Sequence, residues 1–178
     1  MKLTRRILAT LVFFTITYSS MAQHMKFMGI AIDGRVENLL PKLLQKGMKL
    51  ESYSTPTSKT LSGQFFGEDA EVTVAFDRDT HIVHDITVSI LKNYAIENYN
   101  IQKRFLEEVE SKYTYKKDVK RSEISDQPHY EYYIFENNEL VGMIICELVI
   151  IDDLSMLTID YKDVDNYLAT EKKKRDDI

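Results

Sequence analysis

Chemistry shows first in a sequence as titratable or nucleophilic residues at short spacing. The densest such run is Asp77-x-Asp79-x-His81-x-x-His84-Asp85, which mixes carboxylates with imidazoles. Nitrogen and oxygen donors of this kind suit zinc or manganese, and they make a small metal-dependent hydrolase the enzymatic alternative. Strand parity argues against a single ion. In a strand over residues 82–91, His84 shares a face with Ile82, Ile86, Val88 and Ile90, while His81 and Asp85 point the other way. The run then reads as an acidic turn followed by a partly buried histidine, with Asp77, Asp79 and His81 as the weak metal candidates.

Nucleophilic catalysis has less to stand on. Cys146, the one cysteine, lies in an apolar strand on the same face as Ile144 and Leu148, with no adjacent base. Such surroundings raise a thiol pKa and make it a core residue, and a lone cysteine excludes an intramolecular disulfide. The chain has no G-x-S-x-G, P-loop, dinucleotide fingerprint, H-E-x-x-H or C-x-x-C, so no catalytic residue and no cofactor is assigned. Glu107-Glu108 and Asp152-Asp153 read as a solvated helix face and a turn. The basic run 172–175 is largely cancelled by Glu171, Asp176 and Asp177.

Aromatic residues carry more information. His129-Tyr130-Glu131-Tyr132-Tyr133-Ile134-Phe135 puts rings on both faces of one strand, and residues 140–151 are apolar on both faces except at Glu147. A sheet backed by helices on one side needs only one apolar face. The second face is therefore covered by the N-terminal segment or the tail, or it is open to a partner. Tyrosine-rich patches suit protein interfaces, because they bury large area at low entropic cost. Tyr133, Phe135, Glu131 and Tyr130 are the partner-binding candidates, with Tyr132 expected on the core side.

The elements that position these residues follow from periodicity. Val36, Leu39, Leu40, Leu43 and Leu44 form a helical stripe, with Asp33 as N-cap and Gly47 as stop; Pro41 should kink this helix or start it near Asn38. Strands are expected over residues 49–53, 60–66, 70–76 and 82–91. A second helix, marked by Ile101, Phe105, Val109 and Tyr113, spans about 97–112. Strands over 115–121, 129–135, 140–151 and 155–161 follow, with turns at Asn137-Asn138 and Asp152-Asp153. This order implies an α+β fold: a tandem repeat of one helix and a four-stranded antiparallel meander, about 24–92 and 93–164, with helices on one sheet face. Residues 23–170 make one domain, and 171–178 a frayed charged tail.

Composition agrees with a globular domain. The chain has 178 residues, 44% hydrophobic and 29% charged, and a net charge of −5, which disfavours nucleic-acid binding. Residues 1–22 read as a signal peptide: Lys2, Arg5 and Arg6, an apolar run from Ile7 to Tyr18, then Ser20-Met21-Ala22 before Gln23. Cleavage would take three positive charges from the −5 and leave −8. No cysteine stands at the cleavage point, so no lipid anchor is expected, and no later run is a convincing transmembrane segment.

The phrase Lys26-Phe27-Met28-Gly29-Ile30-Ala31-Ile32-Asp33-Gly34 resembles the K-F-x-G-I-x-I-D-G start of a family of small exported proteins of Bacteroidetes. Lys46-Gly47, Leu61-Ser62-Gly63-Gln64-Phe65-Phe66-Gly67 and residues 104–113 are similar to later motifs of that family, though Thr114 stands where a glycine is usual. The likeness covers residues 24–113. It implies export, periplasmic or extracellular, and carries no catalytic residue. The expected architecture is also similar to that of secreted beta-lactamase inhibitor proteins. Together these readings predict an exported, non-enzymatic protein that binds another protein or an envelope macromolecule through its antiparallel sheet.

Overall fold

The computed structural model describes residues 24–122, 126–151 and 154–176. The leader read over residues 1–22 and the Asp152-Asp153 turn lie outside them. A two-stranded ribbon, β1 (Lys26–Phe27) and β2 (Ile30–Ala31), turns through Met28 and Gly29 at φ 50° and 78°. Then come α1 (Val36–Gln45), β3 (Lys49–Thr55), β4 (Ser58–Phe65), β5 (Glu68–Phe76) and β6 (Val83–Lys92). The chain continues through α2 (Ala95–Lys112), β7 (Thr114–Arg121), β8 (Pro128–Glu136), β9 (Glu139–Ile151), β10 (Leu154–Asp163) and α3 (Val164–Asp176).

Local chemistry explains the breaks. Helix α1 starts at Val36 and carries Pro41 inside it, so neither the Asp33 cap nor the start near Asn38 holds. It stops at Gly47, whose φ of 92° needs a residue without a Cβ; Gly47 N–H donates to Leu44 O and Met48 N–H to Leu43 O. The turn after β4 is Phe66-Gly67, both with positive φ, so Phe66 leaves the strand expected to contain it. Asn137-Asn138 forms a similar left-handed turn, as a tight hairpin requires.

The expected tandem repeat is overturned. All eight long strands form one antiparallel sheet in the order β3-β4-β5-β6-β10-β9-β8-β7, so the protein is mostly sheet, with a separate ribbon and three helices among the described residues. The two stretches of chain are joined at the sheet's centre, where Ile90, Val88 and Ile86 of β6 pair with Leu157, Ile159 and Tyr161 of β10. Alternation in a sequence says which face a residue takes but not which strand lies beside it.

The core fills one face. Val72, Val88, Ile159, Cys146 and Tyr132 are buried there with Ile101, Phe105 and Val109 of α2. Phe27 of the ribbon joins them, 5.6 Å from Phe65 and 5.1 Å from Tyr161 between ring centroids. Two glycines make room for methionines on this side. A Cβ at Gly63 would sit 2.7 Å from Met48 Sδ, and one at Gly142 would sit 2.7 Å from Met25 Sδ and 2.8 Å from Lys162 O.

Helix α3 corrects the expectation of helices on a single face. The Asp163 side chain caps it, accepting from Asn166 N–H at 3.1 Å, and also accepts from Met25 N–H at 3.0 Å. Its Tyr167 ring lies 5.2 Å from Nζ of Lys162, a residue whose parity turns it away from the core. Asn166 Nδ2 donates to Ile32 O and Val83 O, fixing α3 across the strand ends. The helix runs into the charged tail, to Asp176.

Candidate functional site

Register assigns the face opposite α2. One row across it runs Thr73, Thr87, Asp160, Ile145, Glu131, Asp118; the next runs Ala75, Asp85, Lys162, Met143, Tyr133, Lys116. A third contains Ser89, Thr158, Glu147, His129 and Lys120. Charged groups thus cross the face with a stripe of β9 apolar residues between them. α3 shelters one end through its contacts with β6, β9 and β10.

Two polar clusters stand out. On β8, the Glu131 carboxylate accepts both contacts of Lys120 Nζ, at 2.7 and 2.8 Å, and the Tyr133 hydroxyl at 2.9 Å. Burial disfavours its ionised form, but those two donors outweigh burial and hold the carboxyl below its ordinary range. His129 stands between Glu131 at 3.3 Å and Glu147 at 3.6 Å.

At the centre of the sheet, Asp85 and Asp160 lie on the neighbouring strands β6 and β10. Thr87 Oγ1 donates to Asp160 Oδ1 at 2.6 Å. Asp85 Oδ1 is buried with no hydrogen-bond partner among the described residues. Burial, then the Asp160 charge, push the Asp85 carboxyl up to about 7, against the opposing pull of Lys162. A carboxyl so placed exchanges a proton near neutrality. Perturbed groups of this kind mark candidate sites, although structural pairs produce them too.

The structure separates the sequence-predicted residues. Tyr133 and Glu131 share the open face. Phe135 follows a register shift in β8 and joins Tyr133, Lys116, Lys117 and Asp118 around a recess of about 500 Å³. Tyr130 lies on the helix side, paired with Cys146, its ring 5.1 Å from Lys117 Nζ. Tyr132 is fully buried and donates to Glu110 Oε1 at 2.7 Å. Cys146 is buried, and burial pushes its thiol up to about 12.

The Asp77–Asp85 run does not converge. Asp77 Oδ1 accepts from Asp79 N–H, Thr80 N–H and the Thr80 hydroxyl, closing its own turn. His81, at φ 60°, bonds Glu37 of α1, while Asp85 turns to the open face. Among the described residues no three histidines, cysteines or carboxylates are grouped to hold a metal ion. No helix there is long and apolar enough to cross a membrane. The residues that sequence reasoning missed are Asp160, Thr87, Lys162 and Lys120. They become neighbours of Asp85 and Glu131 only through strand pairing, and their alternation was the only local signal.

Comparison of the chain with known protein families, with curated proteins and with solved structures found no match.

Proposed function

We propose that the protein is an exported, non-enzymatic binding protein that presents the open face of its sheet to a macromolecular partner. The observation that carries this reading is the β8–β9 portion of that face. There Tyr133 and Phe135 stand beside half-buried Met143 and Ile145, with Glu131 kept ionised by Lys120. An apolar centre with satisfied charges around it is the anatomy of an interface. The leader pattern of residues 1–22 and the family resemblance over residues 24–113 support export. The enzymatic alternative loses its motivation because Asp77 closes its own turn, His81 bonds Glu37 of α1 and Asp85 faces the open side of the sheet.

The test compares capture by the full chain and by a Tyr133→Ala/Phe135→Ala variant, from the native envelope and medium. The reading expects species retained by the first and lost by the second, with both variants showing the same circular dichroism. Equal capture by both would sink it.

A further inference from the structure

The two edges of the sheet are built differently. At the β3 edge, pairing with β4 shifts register between Leu50 and Ser54, a bulge that blunts an edge against strand addition. At the other edge, β7 pairs with β8 at every residue from Thr114 to Arg121 without a shift. All eight of its residues are exposed, and among the described residues no strand lies on its outer side. Alternate residues of such a strand turn both N–H and C=O outward.

The edge is held in place from behind. Lys117 Nζ bonds Glu110 of α2 at 2.7 Å, and Tyr115 packs on Tyr132 with ring centroids 5.3 Å apart. The strand bears Lys116, Lys117, Lys120 and Arg121 against the single Asp118; Lys117 is paired with Glu110, Lys120 with Glu131 and Arg121 with Asp126, so the charge it offers outward rests on Lys116. Its two sides differ. Lys116, Asp118 and Lys120 point to the open face, whereas Tyr115 and Val119, 38% and 52% exposed, point to the helix side. Lys116 makes no ion pair among the described residues, and it lines the recess shared with Tyr133 and Phe135.

We infer that β7 takes up an extended acidic polypeptide segment as a ninth strand of the sheet. Carboxylates of the segment lie opposite Lys116 and Lys120 on the open face, and apolar side chains lie opposite Tyr115 and Val119. Main-chain hydrogen bonds supply affinity and the alternating side chains supply selection. This rests on the binding role proposed above and narrows it to a partner chemistry.

The probe is a labelled peptide, Val-Glu-Val-Thr-Val-Glu-Val, titrated into the full chain; a Lys-for-Glu peptide is the control. Expected are saturable, salt-sensitive binding of the acidic peptide only, loss of binding on N-methylation along one peptide edge, and slowed amide exchange in β7. Lys116→Glu should weaken binding by about tenfold through like-charge opposition, and Lys120→Glu should add to the loss. Because Lys120 also bonds Glu131, the Lys116→Glu variant alone decides if the double variant misfolds.

Equal affinity for the cationic peptide, no binding, or indifference to Lys116→Glu would overturn the inference. So would a concentration-dependent dimer that protects β7, since it would assign the edge to a second copy. If the peptide fails while Tyr133→Ala/Phe135→Ala still abolishes capture, strand addition is wrong and face binding stands. If the peptide binds and capture is indifferent to those two residues, the edge works without the face.

Discussion

Asp85 shows how one buried carboxyl converts position into pH dependence. Its pKa rises from the ordinary carboxylate range to about 7 on folding, so between those values the folded chain keeps a proton that the unfolded chain releases. Stability from this group is full below the unfolded pKa and is lost as pH rises through about 7. Asp85→Asn should therefore raise stability by about 2–4 kcal/mol near pH 8 and change little near pH 4, as thermal melts would show. Identical melts for variant and parent at the higher pH would refute the buried-carboxyl account. Asp160→Asn should shift the same transition to lower pH by removing the like charge. The tyrosine pair gives a second test. Tyr132→Ala empties a fully buried site and should cost about 3–5 kcal/mol, whereas Tyr133→Ala removes a half-buried ring and one bond to Glu131, about 1 kcal/mol. Chemical denaturation that found equal, large losses would mean both faces are packed alike.

Elements were legible in the sequence where period and punctuation agreed. The stripe Ile101, Phe105 and Val109 is the buried face of α2, and alternation in residues 70–76 puts Val72, Val74 and Phe76 in the core. Asn137-Asn138 forms the expected turn. What period does not encode is pairing: β6 meets β10 across sixty-odd residues of chain, and nothing local in Ile86 or Tyr161 names the other. Helix α3 escaped notice because its length is mostly charged and carries little apolar periodicity; its fixing points are the polar side chains of Asp163 and Asn166. The candidate face was half legible. Parity assigned Tyr133 and Tyr132 to opposite sides, but the neighbours of Glu131 and Asp85 depend on register. Close packing of elements makes its own prediction at Gly142, where a Cβ would strike both Met25 and a carbonyl oxygen. Gly142→Ala should destabilise by about 1–3 kcal/mol and loosen the N-terminal ribbon, visible as faster amide exchange at Ile32, whose N–H bonds Met25 O. Unchanged exchange there would detach the ribbon from this strand.

Across the whole molecule, the β6–β10 pairing decides how stability is shared. Two helix-and-meander units with separate sheets would each own a core and could unfold apart. Here the two central strands belong to different stretches of chain, and the single core cluster runs from Leu61 of β4 to Ile134 of β8. Breaking the centre therefore exposes both sides at once. Unfolding should be one cooperative transition, with tyrosine fluorescence and far-ultraviolet circular dichroism giving coincident curves. Ile159→Ala should test the coupling most directly, because Ile159 is fully buried on β10 between Val88 and Cys146. A loss of about 2–5 kcal/mol is expected for a cavity at such a site. That loss should appear equally in native-state amide exchange of β4–β5 and of β8–β9, although only the second pair contains a strand beside Ile159. Two resolved transitions, or a loss confined to β8–β9, would show that the sheet is continuous in hydrogen bonding but divided in stability.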